Sequence, residues 1–257
     1  MLLAVDIGNT HTVLGLYRDE ELWENWRIAS DSKKTEDEYA ILLSELLATA
    51  GHGMREIKAV VISSTVPPLI NIWTMLSEKY FDRTPLVVTA DFDLGMPILL
   101  DHPEETGPDR IVNGIAAIQK YGHSLIVVDL GTANTFDCIS AQGEYLGGAI
   151  APGIYPSINA MATSTAKLPK IELQVPQKAL GKNTNDALES GIIYGFVGQI
   201  DGIVKRLKAE MGGEVKVIAT GGMAKVIADI SETIDVVDPL LTLDGLNYIF
   251  RKSINKA

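Results

Sequence analysis

The chain has 257 residues, 46% of them hydrophobic and 21% charged, with 33 acidic against 22 basic side chains and a formal net charge of −11. That length buries a sizeable core, as one large domain or two small lobes, and the composition is ordinary for a globular protein. The negative balance argues against nucleic acid or an anionic membrane as partner, and no apolar run reaches the roughly 20 residues that span a bilayer. The amino terminus has no basic leader and arrives at Asp6 at once, so it reads as a core strand and the cytoplasm is the expected compartment. The single cysteine, Cys138, lies in an apolar run and reads as a buried structural thiol.

Apolar and β-prone runs predict strands near residues 2–7, 12–17 and 22–28, the last carrying Trp23 and Trp26. From Thr35 to Ala50 the spacing of Leu42, Leu43, Leu46 and Leu47 predicts an amphipathic helix, with Glu36, Asp37 and Glu38 at the end where the helix dipole favours acids. A β run covers 57–63, Pro67-Pro68 opens a helix through Lys79, and Leu86-Val87-Val88 is a short strand. Residues 90–108 show no period, and long loops of this kind in a compact domain are usually functional. An apolar helix follows from Ile111. The second half then offers strands at 125–129, 134–140 and 144–151, a long helix from about Thr184 to Glu210, a strand at Val215 to Ala219, and a helix after Thr220-Gly221-Gly222. A boundary near residue 110 divides the chain into lobes 1–110 and 111–257.

Two stretches carry the most information: Val5-Asp6-Ile7-Gly8-Asn9-Thr10-His11-Thr12 and Val128-Asp129-Leu130-Gly131-Thr132-Ala133-Asn134-Thr135. Each follows a buried strand, ends it on an acid, places a glycine two residues on, and adds small hydroxyl and amide side chains. The pattern is strand, tight turn, strand. Glycine lets backbone N–H groups approach an anion, and an acid at the strand end can hold a cation that touches phosphate. One copy alone fits an ordinary hairpin. Two copies in opposite halves point to a duplicated nucleotide-binding fold.

The irregular loop ends in Gly107-Pro108-Asp109-Arg110. Asp109 has two readings, a helix cap or a general base that takes the proton of an attacking hydroxyl in phosphoryl transfer. Arg110 beside it offers the planar fork that pairs with a carboxylate. His11 has no partner at metal-ligand spacing and reads as a polar turn residue, and His52, His102 and His123 make no metal cluster. Gly191, Gly195, Gly198 and Gly202 line one face of the long helix, which suits either close packing within the chain or a seam between two copies.

Taken together, Asp6 to Thr10, Gly107 to Arg110, Asp129 to Asp137 and the run Gly147-Gly148-Ala149-Ile150-Ala151-Pro152-Gly153 strongly resemble type III pantothenate kinases. The likeness continues through Leu168-Pro169, Gly181-Lys182-Asn183-Thr184 and Ala219-Thr220-Gly221-Gly222. It implies an α/β fold of the acetate kinase, sugar kinase, Hsp70 and actin superfamily, in which two ribonuclease-H-like lobes of mixed sheet, flanked by helices, hold ATP in a cleft between them. It also implies ATP-dependent phosphorylation of pantothenate to 4′-phosphopantothenate, the first step towards coenzyme A, with Mg2+ and a monovalent cation (K+ or NH4+), in a homodimer. By position, Asp6, Ile7, Gly8, Asn9, Thr10, His11, Thr12 and Val13 would form the first phosphate turn, with Asp6 near magnesium. Thr132 would touch ATP, Asp129 would bind the monovalent cation, and Gly221-Gly222 would pass the adenine. Asp109 becomes the catalytic base, and Gly107, Pro108, Asp109, Arg110 and Thr184 line the pantothenate site. Many members carry Ala or Ser where this chain has Pro108, and Tyr where it has Leu100, so one substrate contact is weaker or replaced. Two further readings stand beside the kinase: a non-catalytic relative of the Bvg accessory factor, which would need neither Asp109 nor Asp129, and a kinase of another small alcohol.

Overall fold

The repeated strand–turn–strand pattern builds two sheets of the same topology. A computed structural model describes residues 1–89, 95–164 and 174–255. Strands β1 (Leu2–Ile7), β2 (His11–Arg18), β3 (Glu21–Ala29), β4 (Ala59–Ser64) and β5 (Leu86–Val87) form the first sheet, in the order β3-β2-β1-β4-β5. Strands β6 (Leu125–Leu130), β7 (Ala133–Ile139), β8 (Tyr145–Pro152), β9 (Lys216–Thr220) and β10 (Val236–Val237) form the second, in the order β10-β9-β6-β7-β8. In each, the strand that leads into the acidic turn pairs antiparallel with its successor and parallel with the strand after the next helix.

The chain divides into two units. One holds Met1–Gly95, Asp101–Ala116 and Leu240–Ala257, and the other holds Met96–Leu100 and Ala117–Pro239. A single cut at residue 110 differs from this division at residues 96–100, at 111–116 and at the carboxyl end. There α7 (Leu241–Ile254) returns to the first unit and packs on β1, β2 and β4. That return explains why β1 is buried on both faces. Leu3, Val5 and Ile7 enter the core with α1 (Glu36–Thr49) and α2 (Pro67–Leu76), while Leu2 and Ala4 lie on the opposite face. Each such aliphatic side chain contributes about 1.5–3 kcal/mol on burial. Tyr17 Oη donates to Asp244 Oδ1 at 2.7 Å, which fixes the roll of α7 on this face.

Local signals set the helix ends. Thr35 caps α1 and Glu38 completes the capping box, while Pro67 and Pro68 occupy the first turn of α2. Helix α2 closes in a π-helical turn at Ser77–Phe81, so the predicted stop at Lys79 falls inside it. Helix α3 (Pro108–Tyr121) starts three residues before the predicted Ile111, because Pro108 takes the first helical position. In the second unit, α5 (Thr184–Met211) is capped by Asn183, whose side chain accepts from the Asp186 amide at 2.9 Å, and α6 (Ala224–Ala228) follows β9. Sequence periodicity missed α4 (Ile154–Ser164), β10 and α7. Cys138 is buried and outside any disulfide, as its apolar strand predicts. No helix among the described residues is long and apolar enough to cross a membrane.

Candidate active site

The first turn sits between paired residues Ile7 and Thr12. The Gly8 amide donates to the His11 carbonyl at 3.0 Å, and the Thr10 carbonyl accepts from the Ser30 amide at 3.0 Å, so the loop is closed by its own backbone and by the end of β3. Ile7 and Thr12 are buried, Asp6, Gly8 and Val13 half-buried, and Asn9, Thr10 and His11 exposed. Thr12 Oγ1 and Ser30 Oγ share a hydrogen bond at 2.9 Å. Asp6 is opposite Val13 on β2 and Ser63 on β4. Ser63 Oγ is buried without a hydrogen-bond partner, a polar feature beside Asp6 that sequence reading missed because Val60 to Ser64 is an unbroken strand.

Arg27 Nη2 donates to His11 Nδ1 at 3.1 Å. A guanidinium has no acceptor, so the imidazole must accept at Nδ1 and carries its proton at Nε2 when neutral. Burial and the Arg27 charge both lower the His11 pKa below its usual value, which keeps the ring neutral near pH 7.

The second turn is one residue shorter, running between paired Leu130 and Asn134. The Gly131 amide donates to the Ala133 carbonyl at 3.2 Å. Asp129 faces Thr220 on β9 and Thr135 on β7. The glycine after Thr220 is required by close approach, since a Cβ on Gly221 would stand 2.5 Å from Asp129 Oδ1 and 2.7 Å from the Leu130 backbone, at a φ of +90°. Gly153 donates its amide to the Thr132 carbonyl at 3.2 Å. A Cβ there would meet the Gly131 carbonyl oxygen at 2.6 Å, so the glycine-rich run after β7 closes over the turn.

Asp109 lies in the first turn of α3, after Gly107, whose carbonyl accepts from the Arg110 amide at 3.1 Å and from the Ile111 amide at 3.3 Å. Its Oδ1 is buried without a hydrogen-bond partner. Burial raises the Asp109 pKa above the ordinary carboxylate value, against the opposing pull of the Arg110 amide, the Arg110 charge and its own amide. A carboxylate raised in this way is a better proton acceptor, and it shares one loop-to-helix junction with Gly107, Pro108 and Arg110. Thr106, just before it, is 4% exposed with an unpartnered Oγ1. Asp109, Arg110 and the first turn belong to the first unit, and Asp129, Thr132 and Thr184 belong to the second.

Thr184 is the exposed first residue of α5. Along that helix, a Cβ at Gly191, Gly195 or Gly198 would meet nothing within 4 Å. The described residues therefore leave the glycine face open. Close packing among the described residues does not explain it. Leu100 lies against Gly147, with Cδ2 3.0 Å from where a Cβ would stand. Leu168 and Pro169 lie outside the described residues.

Among the described residues no three His, Cys, Asp or Glu side chains converge as a metal site. A magnesium ion bound through nucleotide phosphates needs only one or two carboxylates, and Asp6 and Asp129, each at a strand end beside a glycine turn, are of that type.

The model of the type III pantothenate kinase family matches residues 2–206. The chain is 49% identical to the type III pantothenate kinase of Halalkalibacterium halodurans over 99% of its own length and 100% of the relative's. It is equally 49% identical to that of Moorella thermoacetica, over 98% and 100%. Among solved structures, a conserved candidate Baf-family transcriptional activator from Campylobacter jejuni matches with a TM-score of 0.62 at 19% identity, covering 98% of this chain and 99% of that one, a likeness of fold alone. On the family match and the two full-length relatives, the chain belongs to the type III pantothenate kinase family.

Proposed function

We propose that the protein phosphorylates pantothenate to 4′-phosphopantothenate with ATP as donor, the first step of coenzyme A biosynthesis. The observation that carries this reading is 49% identity to two type III pantothenate kinases across essentially the whole chain. The chemistry of Asp109 supports it. Phosphoryl transfer needs a base that orients the attacking hydroxyl, and Asp109 is a buried carboxylate with an unpartnered oxygen and a raised pKa. In this reading Asp109 Oδ1 takes the proton of the pantothenate hydroxyl as the hydroxyl oxygen attacks the terminal phosphorus of ATP, and ADP leaves. Arg110 pairs with the carboxylate of pantothenate, while Gly107, Pro108 and Thr184 shape its site.

Residues Asp6 to Val13 and Thr132 hold the ATP phosphates through backbone amides and hydroxyls. Asp6 would hold magnesium and Asp129 a monovalent cation, and these ions would supply positive charge to the phosphates. Thr184, at the head of the open glycine face of α5, supports a homodimer with the substrate site beside the seam, and the cytoplasm is the expected compartment. A non-catalytic accessory protein would have no use for a buried, proton-accepting Asp109.

The test is ATP-dependent phosphorylation by the purified protein with magnesium, with and without potassium or ammonium, on pantothenate and on a panel of other small alcohols. Pantothenate should be the preferred acceptor. Preference for another alcohol, or no transfer to any, overturns the proposal.

A further inference from the structure

The first turn lacks something its proposed ligand needs. Residues Asp6 to Val13 contain no lysine or arginine, yet a nucleoside triphosphate is a polyanion and the chain carries a net charge of −11. The strand register shows where a cation enters. Ser63, Asp6, Val13 and Arg27 stand opposite one another across β4, β1, β2 and β3, so all four side chains lie on one face of the sheet. Arg27 is therefore two strands, about 10 Å, from Asp6 in the same row. Helix α7 packs on this face two and four residues further along β2, at Gly15 and Tyr17. Arg27 itself is exposed.

An exposed arginine on an edge strand is ordinarily a solvated charge. Two observations separate Arg27 from that case. Among the described residues it forms no ion pair, although acids outnumber basic groups 33 to 22. Its guanidinium instead turns back to the phosphate turn and donates to His11 Nδ1 at 3.1 Å. That bond uses one of five donors and leaves a flat, bidentate-capable fork beside the turn. It also leaves the imidazole Nε2–H as an outward donor at the same place.

We infer that Arg27 is a polyphosphate-binding residue of the first turn, oriented by His11, and that His11 Nε2–H donates to the same anion. The inference rests on the reading of this turn as the nucleotide site. Calorimetric titration of the intact protein with ATP, ADP and AMP tests both and separates them. Arg27→Gln should lower ATP affinity about tenfold or more, lower ADP affinity less, and leave AMP within about twofold, with a smaller salt dependence of ATP binding. Arg27→Lys keeps the charge but not the planar fork, and should fall between wild type and Arg27→Gln. Equal losses for ATP and AMP would mark a purely structural role and overturn the inference, as would unchanged ATP binding in Arg27→Gln. Wild-type protein that binds no ATP overturns the nucleotide site itself. Arg27 is exposed, and a thermal melt of Arg27→Gln matching wild type shows that the loss belongs to the ligand.

Discussion

Replacing Asp109 by asparagine should move rate and stability in opposite directions. In the folded chain Asp109 Oδ1 is buried with no hydrogen-bond partner, and burial raises its pKa above the ordinary 3.8, with the Arg110 amide and charge offsetting part of the cost. An amide of the same shape removes a buried charge, whose uncompensated desolvation costs more than the roughly 1–3 kcal/mol of a neutral polar group. The melting temperature of Asp109→Asn should therefore match or exceed wild type. If Asp109 takes the hydroxyl proton, turnover should fall by roughly 10²–10⁴-fold, about 3–5 kcal/mol of transition-state stabilisation. The pH dependence has a fixed sign. Because the folded pKa is raised, the native state binds this proton more readily than the unfolded chain. The contribution of Asp109 to stability is then greatest at low pH and declines as pH rises through the folded pKa. Activity runs the other way, since the base works only when ionised. In wild type kcat/KM should rise with pH through the Asp109 titration, and in Asp109→Asn that limb should vanish. A melt and a steady-state assay with pantothenate and ATP measure both. Near-normal turnover together with a lowered melting temperature would return Asp109 to a role in starting α3 and refute the base.

Asp129→Ala should weaken the dependence of activity on potassium or ammonium, and a wild-type enzyme indifferent to both ions removes Asp129 from cation binding. Sedimentation should give a dimer for wild type. Gly198→Leu should fold, since a Cβ there meets nothing within 4 Å among the described residues, and should sediment as a monomer with weakened pantothenate affinity; an active dimer would place the seam on another surface. Asp201, on α5, is opposed in its ionisation by burial, yet hydrogen bonds from Ser231 Oγ at 2.6 Å, Thr233 Oγ1 at 2.7 Å and the Glu232 amide at 3.1 Å outweigh it and lower its pKa. Its contribution should be intact above the unfolded carboxylate pKa and lost as pH falls through the lower folded pKa. Asp201→Ala should cost about 2–3 kcal/mol in denaturant unfolding, and an unchanged midpoint would count against that network.

The strands and first helices were legible because each carries a single uninterrupted signal. β1 and β6 are runs of buried aliphatics ending on an acid, and α1 has its cap, its acids and its leucines in the expected places. The elements that escaped carry mixed signals. Helix α7 buries Gly245 and Asn247 among its leucines, because a Cβ on Gly245 would stand 2.7 Å from Val112 Cγ1. Close helix contact there demands a residue that breaks the apolar period. Helix α4 leaves Tyr155 and Met161 exposed, so its apolar residues do not sort to one inner stripe. The site itself was legible as motifs. Its register was not. Matching the two turns residue by residue pairs Thr12 with Thr135, whereas the ladders set Thr12 against Ile7 and Asn134 against Leu130. A one-residue difference in loop length cannot be seen in a pattern of small polar residues.

That register shows how the two copies have diverged. Across the first sheet the row at the acid reads Ser63, Asp6, Val13, Arg27. Across the second, at the same topological positions, it reads Thr220, Asp129, Thr135, Ile150. The inner pair, a hydroxyl beside a carboxylate, is the same in both and suits a cation or its water at each strand end. The outer positions differ in kind. In the first unit they end on a guanidinium hydrogen-bonded to the turn, a group that attracts phosphate. In the second they end on an isoleucine that is 64% exposed. The same topology thus carries an exposed guanidinium at one edge and an exposed aliphatic side chain at the other, and the aliphatic edge lies in the unit that also presents the open glycine face of α5.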